Sequence, residues 1–258
     1  MKSLKYMKFF VYLCAFAVIV LLAKYIEQHR YFQIAQIDIV NERGSTEFQN
    51  ANRQQIFQSV LPSLTGSFFS VNVHQAQKAA QATPWVAQAK VSRVSFSSIK
   101  IDVQEYHAVA RWLNNGTEAG LVDSSGRVFQ APTDEKLPEF DAPADELNTV
   151  MKQYHLLNGQ LKSLRLEIER LKYDARGAWT MRLTNGVEVR LGKQDIHTRV
   201  QRLIQYWQSE LSVLAPYLDY VDMRYPHAFA VKLNADVPAE FNPLVRAEQT
   251  AADNSIQE

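Results

Sequence analysis

The hydrophobic positions change their period several times along the chain, and each change marks an element. From Phe9 to Ala23, FFVYLCAFAVIVLLA, the chain is apolar without a charge. In IAQIDIV, Ile37 and Ile39 alternate with polar neighbours, the period of a half-buried strand. ANRQQIFQSVLPSL then sets Ile56, Val60, Leu61 and Leu64 at helical spacing. A second short helix, HQAQKAAQAT, offers Ala76, Ala79 and Ala80 as a thin packing face, and Pro84 ends it. WVAQAKVSRV and SSIKIDVQEY read as strands; in the latter Ile99, Ile101 and Val103 alternate strictly with Lys100, Asp102 and Gln104. The order over 32–106 is β-α-α-β-β, which predicts two helices on one face of a small sheet.

Residues 107–234 read as a second, β-rich unit. ARW, GLVDSSGRVF and LPEF are short strands joined by Gly- and Ser-rich turns. Leu147, Val150, Met151, Tyr154 and Leu157 make a helical stripe, with Gly159 either capping that helix or tolerated within it. SLRLEIERL starts another strand. Around Asn185-Gly186, a two-residue loop would put the apolar sets of the two strands on opposite faces. A three-residue loop, Thr184-Asn185-Gly186, pairs Leu183 with Val187, Met181 with Val189 and Trp179 with Leu191, so the register predicts a type I turn with Gly186 left-handed in a bulge. Ile196, Val200, Leu203, Ile204, Trp207, Leu211 and Leu214 stripe one long helix, with Pro216 just past its end. From Tyr220 to Leu233 the alternation crosses Pro226 without slipping, which predicts one continuous strand. Proline is compatible with such a strand when its missing N–H points to an unpaired edge, which is either a capped end of the sheet or a place where a partner strand adds. The remainder, 235–258, is polar and acidic and reads as a disordered tail.

Charge changes the picture at the N-terminus. MKSLKYMK carries Lys2, Lys5 and Lys8 and no acid. The apolar run follows, Lys24 can snorkel, and Tyr25 and Ile26 extend the apolar face, so 9–26 reads as a membrane-spanning helix and 1–8 as its cytoplasmic tail. A cleaved signal peptide would need a small-x-small site after the run, and AKYIEQHRYFQ offers none; Ala15 and Ala17 lie inside it. A lipoprotein site at Cys14 would need a small residue where Leu13 stands. Cys14 is the sole cysteine, so no intrachain disulfide is expected. A net charge of +1 without a basic face argues against a nucleic-acid partner.

Candidate chemistry is sparse. The six histidines, His29, His74, His107, His155, His197 and His227, are scattered without metal-ligand spacing. No Gly-x-Ser-x-Gly, Gly-x-Gly-x-x-Gly or P-loop pattern occurs. Glu167 and Glu169 lie on the polar face of a strand, and His227 on the apolar-side parity of the last one. The residues therefore predict no enzyme and no cofactor. A membrane-anchored periplasmic enzyme with a spatially assembled site is the alternative, as is another envelope-assembly factor; a chain ending in a membrane β-barrel has no residues left for one.

GSFFSVNV, TPWVAQAKVSRV, HAVARW, GLVDSSGRVF, LPEF, ARGAWTMRLTNGVEVRLG and YVDMRYPHAFAV, in that order between Phe32 and Leu233, resemble the FtsQ/DivIB family of bacterial cell-division proteins. The resemblance implies an α+β chain. One N-terminal transmembrane helix leads to a POTRA domain at 32–106, then to a mainly antiparallel β-domain at 107–234 with two or more helices. It implies a non-enzymatic organiser of the division machinery, located in the inner membrane at the septum with its bulk in the periplasm, that joins FtsB and FtsL. It implies that a segment of FtsB adds to the last strand by β-augmentation. The contact residues would be Arg224, Tyr225, Pro226, His227, Ala228, Phe229 and Ala230, and Arg176 would match an arginine that meets a partner carboxylate. This chain has Ala228 where the family often has glycine.

Overall fold

A computed structural model describes residues 2–28, 32–238 and 241. The chain divides into two compact units, Met1–His107 and Ala108–Glu258.

The first unit begins with helix α1, Lys2–Gln28. It is uninterrupted from Lys2 onward. Its side chains at 10–22 are exposed, among them Phe10, Leu13, Phe16, Ile19 and Leu22. Among the described residues no helix is long and apolar enough to cross a membrane. The side chains of the expected span at 9–26 are described only at 10–22, 24 and 25.

Strand β1, Gln36–Asn41, is followed by α2, Arg53–Leu64, and α3, Val73–Gln81, and then by β2, Val86–Arg93, and β3, Ser98–Glu105. Both helices start where an asparagine can accept orphan N–H groups: Asn52 Oδ1 takes those of Gln54 and Gln55, and Asn72 Oδ1 that of Gln75. The three-stranded sheet runs β1-β3-β2, with β1 parallel and β2 antiparallel to β3. The predicted order is thus observed. Ile39, Ile56, Val60, Ile99, Ile101 and Val103 form the core with Ala76 and Ala80, and the larger of these side chains contribute about 1.5–3 kcal/mol each. Leu61 departs from the expected stripe. It is exposed, because the turn that buries Val60 and Leu64 points the residue between them outward.

The second unit is built on a nine-stranded sheet. Its elements are β4 (Ala108–Asn114), β5 (Thr117–Asp123), β6 (Val128–Phe129), β7 (Glu139–Asp141), α4 (Leu147–Leu161), β8 (Ile168–Tyr173), β9 (Trp179–Leu183), β10 (Glu188–Gly192), α5 (Ile196–Tyr206), β11 (Leu218–Asp222) and β12 (Ala230–Leu233). The strand order is β12-β11-β10-β9-β8-β7-β4-β5-β6. The sheet is mainly antiparallel, as expected, but β4–β7, β7–β8 and β10–β11 are parallel. Parallel neighbours require crossovers, and α4 and α5 are two of them, between β7 and β8 and between β10 and β11. Leu147, Val150, Leu157, Val200 and Leu203 are fully buried in one core with Leu171, Met181, Val189 and Val221 of the strands. Gly159 lies within α4.

Three details differ from the sequence pattern. The three-residue loop at Thr184–Gly186 is present, with Gly186 at φ +86 and the Leu183 N–H on the Val187 carbonyl. Met181 faces Val189, but Trp179 faces Gly192 rather than Leu191, because a bulge follows Arg190. The long helix is interrupted: a π turn spans Trp207–Leu211, then a helical turn Ser212–Leu214 and a 3-10 turn Ala215–Tyr217. The wide turn keeps both Trp207 and Leu211 in the core. The third correction concerns the last strand. Tyr220 to Leu233 is not continuous but a hairpin, with Val221 opposite Val231 and Asp222 opposite Ala230. The tail expected at 235–258 is described only at 235–238 and 241, where the Phe241 ring stacks on Tyr217.

Candidate functional site

β12 is the outermost strand of the large sheet and pairs with β11 alone. Its residues are short, charged or partly apolar: Ala230, Val231 and Lys232 are exposed and Leu233 is half-buried. Lys232 Nζ meets Asp219 at 2.9 Å across the pair. The other edge of β12 has no strand against it among the described residues, so its backbone is open to a further chain.

The loop before β12, Met223–Phe229, carries most of the residues singled out in the sequence. Arg224, Tyr225, Pro226, His227 and Ala228 are exposed, and Phe229 is half-buried with its ring 4.5 Å from that of Tyr206 on α5. Of the expected contact residues only Ala230 is in the strand itself. Pro226 sits at the middle of the loop, where no ladder bond is asked of it. The loop is held from behind by Arg202 of α5. Its Nη2 donates to the carbonyls of Met223 (3.0 Å) and Tyr225 (2.6 Å), and its Nη1 to that of Pro226. One guanidinium thus satisfies three loop carbonyls.

Arg224 is fixed at the loop's start by Asp222, with Nε–Oδ1 at 2.9 Å and Nη2–Oδ2 at 2.5 Å. The Asp222 carboxyl is 6 % exposed while the Arg224 side chain stays 57 % exposed. The hydrogen bond from Arg224 holds Asp222 below the usual carboxylate range, against the opposing effect of burial. Gly192 at the end of β10 makes room for this arrangement: a Cβ there would lie 2.8 Å from Arg199 Nη1 and 3.1 Å from Arg224 Cγ. Beside them the Arg190 guanidinium lies over the Tyr220 ring at 3.8 Å.

Arg176 belongs to the turn between β8 and β9. Asp174 Oδ1 shapes that turn by accepting the N–H groups of Arg176 and Ala178, and Arg176 itself is exposed. Register places it at the same end of the sheet as the loop, since Trp179 faces Gly192 and Arg190 faces Asp222. β9 and β11 are two strand spacings apart, roughly 10 Å. All eight expected residues therefore lie at the same end of the sheet, with Arg176 on the β8–β9 turn three to four strands in from β12. Sequence reasoning placed Val231, Lys232 and Leu233 in the last strand but not among the contact residues, and it missed Arg202. Nothing in the local sequence of α5 signals that Arg202 faces carbonyls more than twenty positions later. Among the described residues no group of three or more His, Cys, Asp or Glu converges as a metal site.

Two family models match the chain. Residues 46–106 match the POTRA domain, FtsQ-type, and residues 110–224 match the C-terminal domain of cell division protein FtsQ/DivIB. The second match ends at Arg224, so most of the loop and all of β12 lie beyond it. Among curated relatives, the cell division protein FtsQ of Burkholderia pseudomallei is 31% identical over 196 residues, covering 73% of this chain and 76% of its own. That of Neisseria meningitidis serogroup B is 33% identical over 66% of this chain and 72% of its own. That of Nitrosospira multiformis is 27% identical over 77% and 83%. With the POTRA unit, the large mixed sheet and this similarity along most of its length, the chain belongs to the FtsQ/DivIB family of cell division proteins.

Proposed function

We propose that the chain is a non-enzymatic scaffold of the bacterial division machinery, anchored in the inner membrane by residues 9–26 of α1. Residues 1–8 lie on the cytoplasmic side. The POTRA domain at 32–106, the β-domain at 107–234 and the tail at 235–258 lie on the periplasmic side, at the division septum. Lys2, Lys5 and Lys8 before the apolar run support this orientation. A partner strand adds to β12; the family resemblance supports the FtsB and FtsL pair as that partner.

The open edge of β12, beside a loop locked by Arg202, carries this reading. A strand docking there gains main-chain hydrogen bonds, and Tyr225, Phe229 and Arg224 flank it with aromatic surface and charge. Arg176, exposed at the same end of the sheet, suits a carboxylate of the partner, which a guanidinium grips with two parallel bonds. Capture of FtsB with FtsL by the full chain tests it. Tyr225→Ala, Phe229→Glu and Arg176→Glu should each weaken capture while circular dichroism stays unchanged. Undiminished capture by all three folded variants would leave β12 a plain sheet edge.

A further inference from the structure

We infer that the phenylalanine cluster at one end of the POTRA sheet is a lipid contact, seated in the headgroup–acyl boundary of the membrane that holds α1. This rests on the anchoring proposed above and adds to it a second attachment. The rings of Phe32, Phe68, Phe69 and Phe96 lie at centroid distances of 5.3–5.4 Å, Phe32 against Phe69 and Phe96, and Phe68 against the same two. Such a cluster ordinarily belongs in a core. Here Phe69 is 58 % and Phe96 48 % exposed, and Val94 in the same turn as Phe96 is 64 % exposed.

The patch is rigid. Three separate segments build it, and backbone bonds tie them together. The Phe68 N–H donates to the Phe32 carbonyl at 2.6 Å and the Ile34 N–H to that of Gly66 at 3.1 Å. The N–H groups of Ala35 and Gln36 both reach the Ser97 carbonyl. Arg93 Nη2 is fixed on the Val71 carbonyl at 3.0 Å with its guanidinium 5.2 Å from the Phe68 ring centroid. Little conformational freedom is left to lose when this surface meets another phase.

Position selects the bilayer as its occupant. Phe32 is four residues beyond Gln28, the end of α1, so the chain holds it within about 14 Å of that end. Helix α1 is about 40 Å long, close to the full thickness of a bilayer with its headgroups. A patch on so short a tether meets the membrane surface before any soluble partner. Chemistry agrees: segments 32–36, 62–72 and 94–98 contain no Asp or Glu to repel anionic lipid, and Arg93 supplies a cation at the rim. Four phenylalanines without a polar tip suit burial roughly 5–10 Å into the boundary.

The test uses the full chain in nanodiscs of phosphatidylethanolamine and phosphatidylglycerol, with nitroxide labels placed singly in a Cys14→Ser background. Labels at Phe69→Cys and Val94→Cys report on the patch. Arg43→Cys, past the far end of β1, reports on water, and Val18→Cys on the anchor. Collision rates with a water-soluble nickel chelate should be several-fold lower at 69 and 94 than at 43, with oxygen collisions raised. If 69 and 94 meet nickel as freely as 43 while 18 is lipid-like, the patch faces water, and the inference fails with the anchor intact. Nickel access at 18 would overturn the anchor and the inference with it. Shielding of 69 that appears only on adding another division protein would assign the patch to that protein instead.

Discussion

Trp85 occupies a position that a turn ordinarily gives to glycine. The Val86 N–H bonds the Thr83 carbonyl at 3.2 Å around Pro84-Trp85, and Trp85 has φ +69, the third position of a type II turn. Its side chain is buried and its carbonyl accepts the Tyr106 N–H. Packing therefore holds a strained backbone in place. Trp85→Ala should lose roughly 3–5 kcal/mol in denaturant unfolding. Trp85→Gly, which removes the strain along with the ring, should be no worse than the alanine variant, reversing the usual order of these two residues. Burial of Trp85 follows from a tryptophan beside Pro84 at a helix-to-strand corner. Its left-handed backbone does not, because nothing about a bulky side chain announces it. Asp222 bears on pH in a similar one-residue way. Its folded pKa lies below the ordinary 3.8 chiefly through its hydrogen bond from Arg224, so its contribution is present above that ordinary value and is lost as pH falls through the lowered one. Asp222→Asn should accordingly lower the unfolding midpoint near pH 7, and the gap to the parent should close as the pH is taken well below about 4.

Among the elements, hairpins divide sharply by how visible they are. The β9–β10 turn was legible because only one loop length lets Met181 and Val189 share a buried face. Gly186 has no heavy atom within 4 Å of where a Cβ would stand, so Gly186→Ala costs backbone strain alone, about 1–2 kcal/mol by thermal unfolding. The β11–β12 turn was hidden by parity. Seven residues separate Asp222 from Ala230, and an odd loop returns the chain with odd positions still facing odd positions. Period-two alternation then reads straight through a reversal, and Pro226, which looked like a strand residue under special licence, is the loop's midpoint. Arg202 is the element-scale determinant of that loop. Arg202→Lys keeps the charge but lacks the fork that reaches three carbonyls, so amide exchange across 223–229 should accelerate almost as much as in Arg202→Ala. Exchange in β9 and β10 should stay as it was; loop protection unchanged from the parent in both variants would show that Phe229 on Tyr206 suffices to hold it.

For the whole molecule, local periodicity found the helices and most strands, but the order of the large sheet depends on which crossovers bring β7 between β4 and β8, and no local pattern encodes that. The eight candidate residues were found through family resemblance; their placement at one end of the sheet follows from register. At this scale the proposed role predicts a midcell band for a fluorescent fusion and filamentous cells on depletion, while uniform envelope fluorescence with normal division would contradict it. The parallel pairing of β1 with β3 has a consequence in time. Gln36 meets Ser98, about sixty residues later in the chain. At a synthesis rate of about 5–20 residues per second, β1 emerges and waits on the order of 3–12 s before its partner exists. Through that interval both its edges are bare, and Gln36, Asp38 and Asn41 are the polar residues that keep a strand rich in Ile and Val from pairing with a neighbouring nascent chain. The solubility of the newborn protein thus hangs on three side chains that make no part of its finished core.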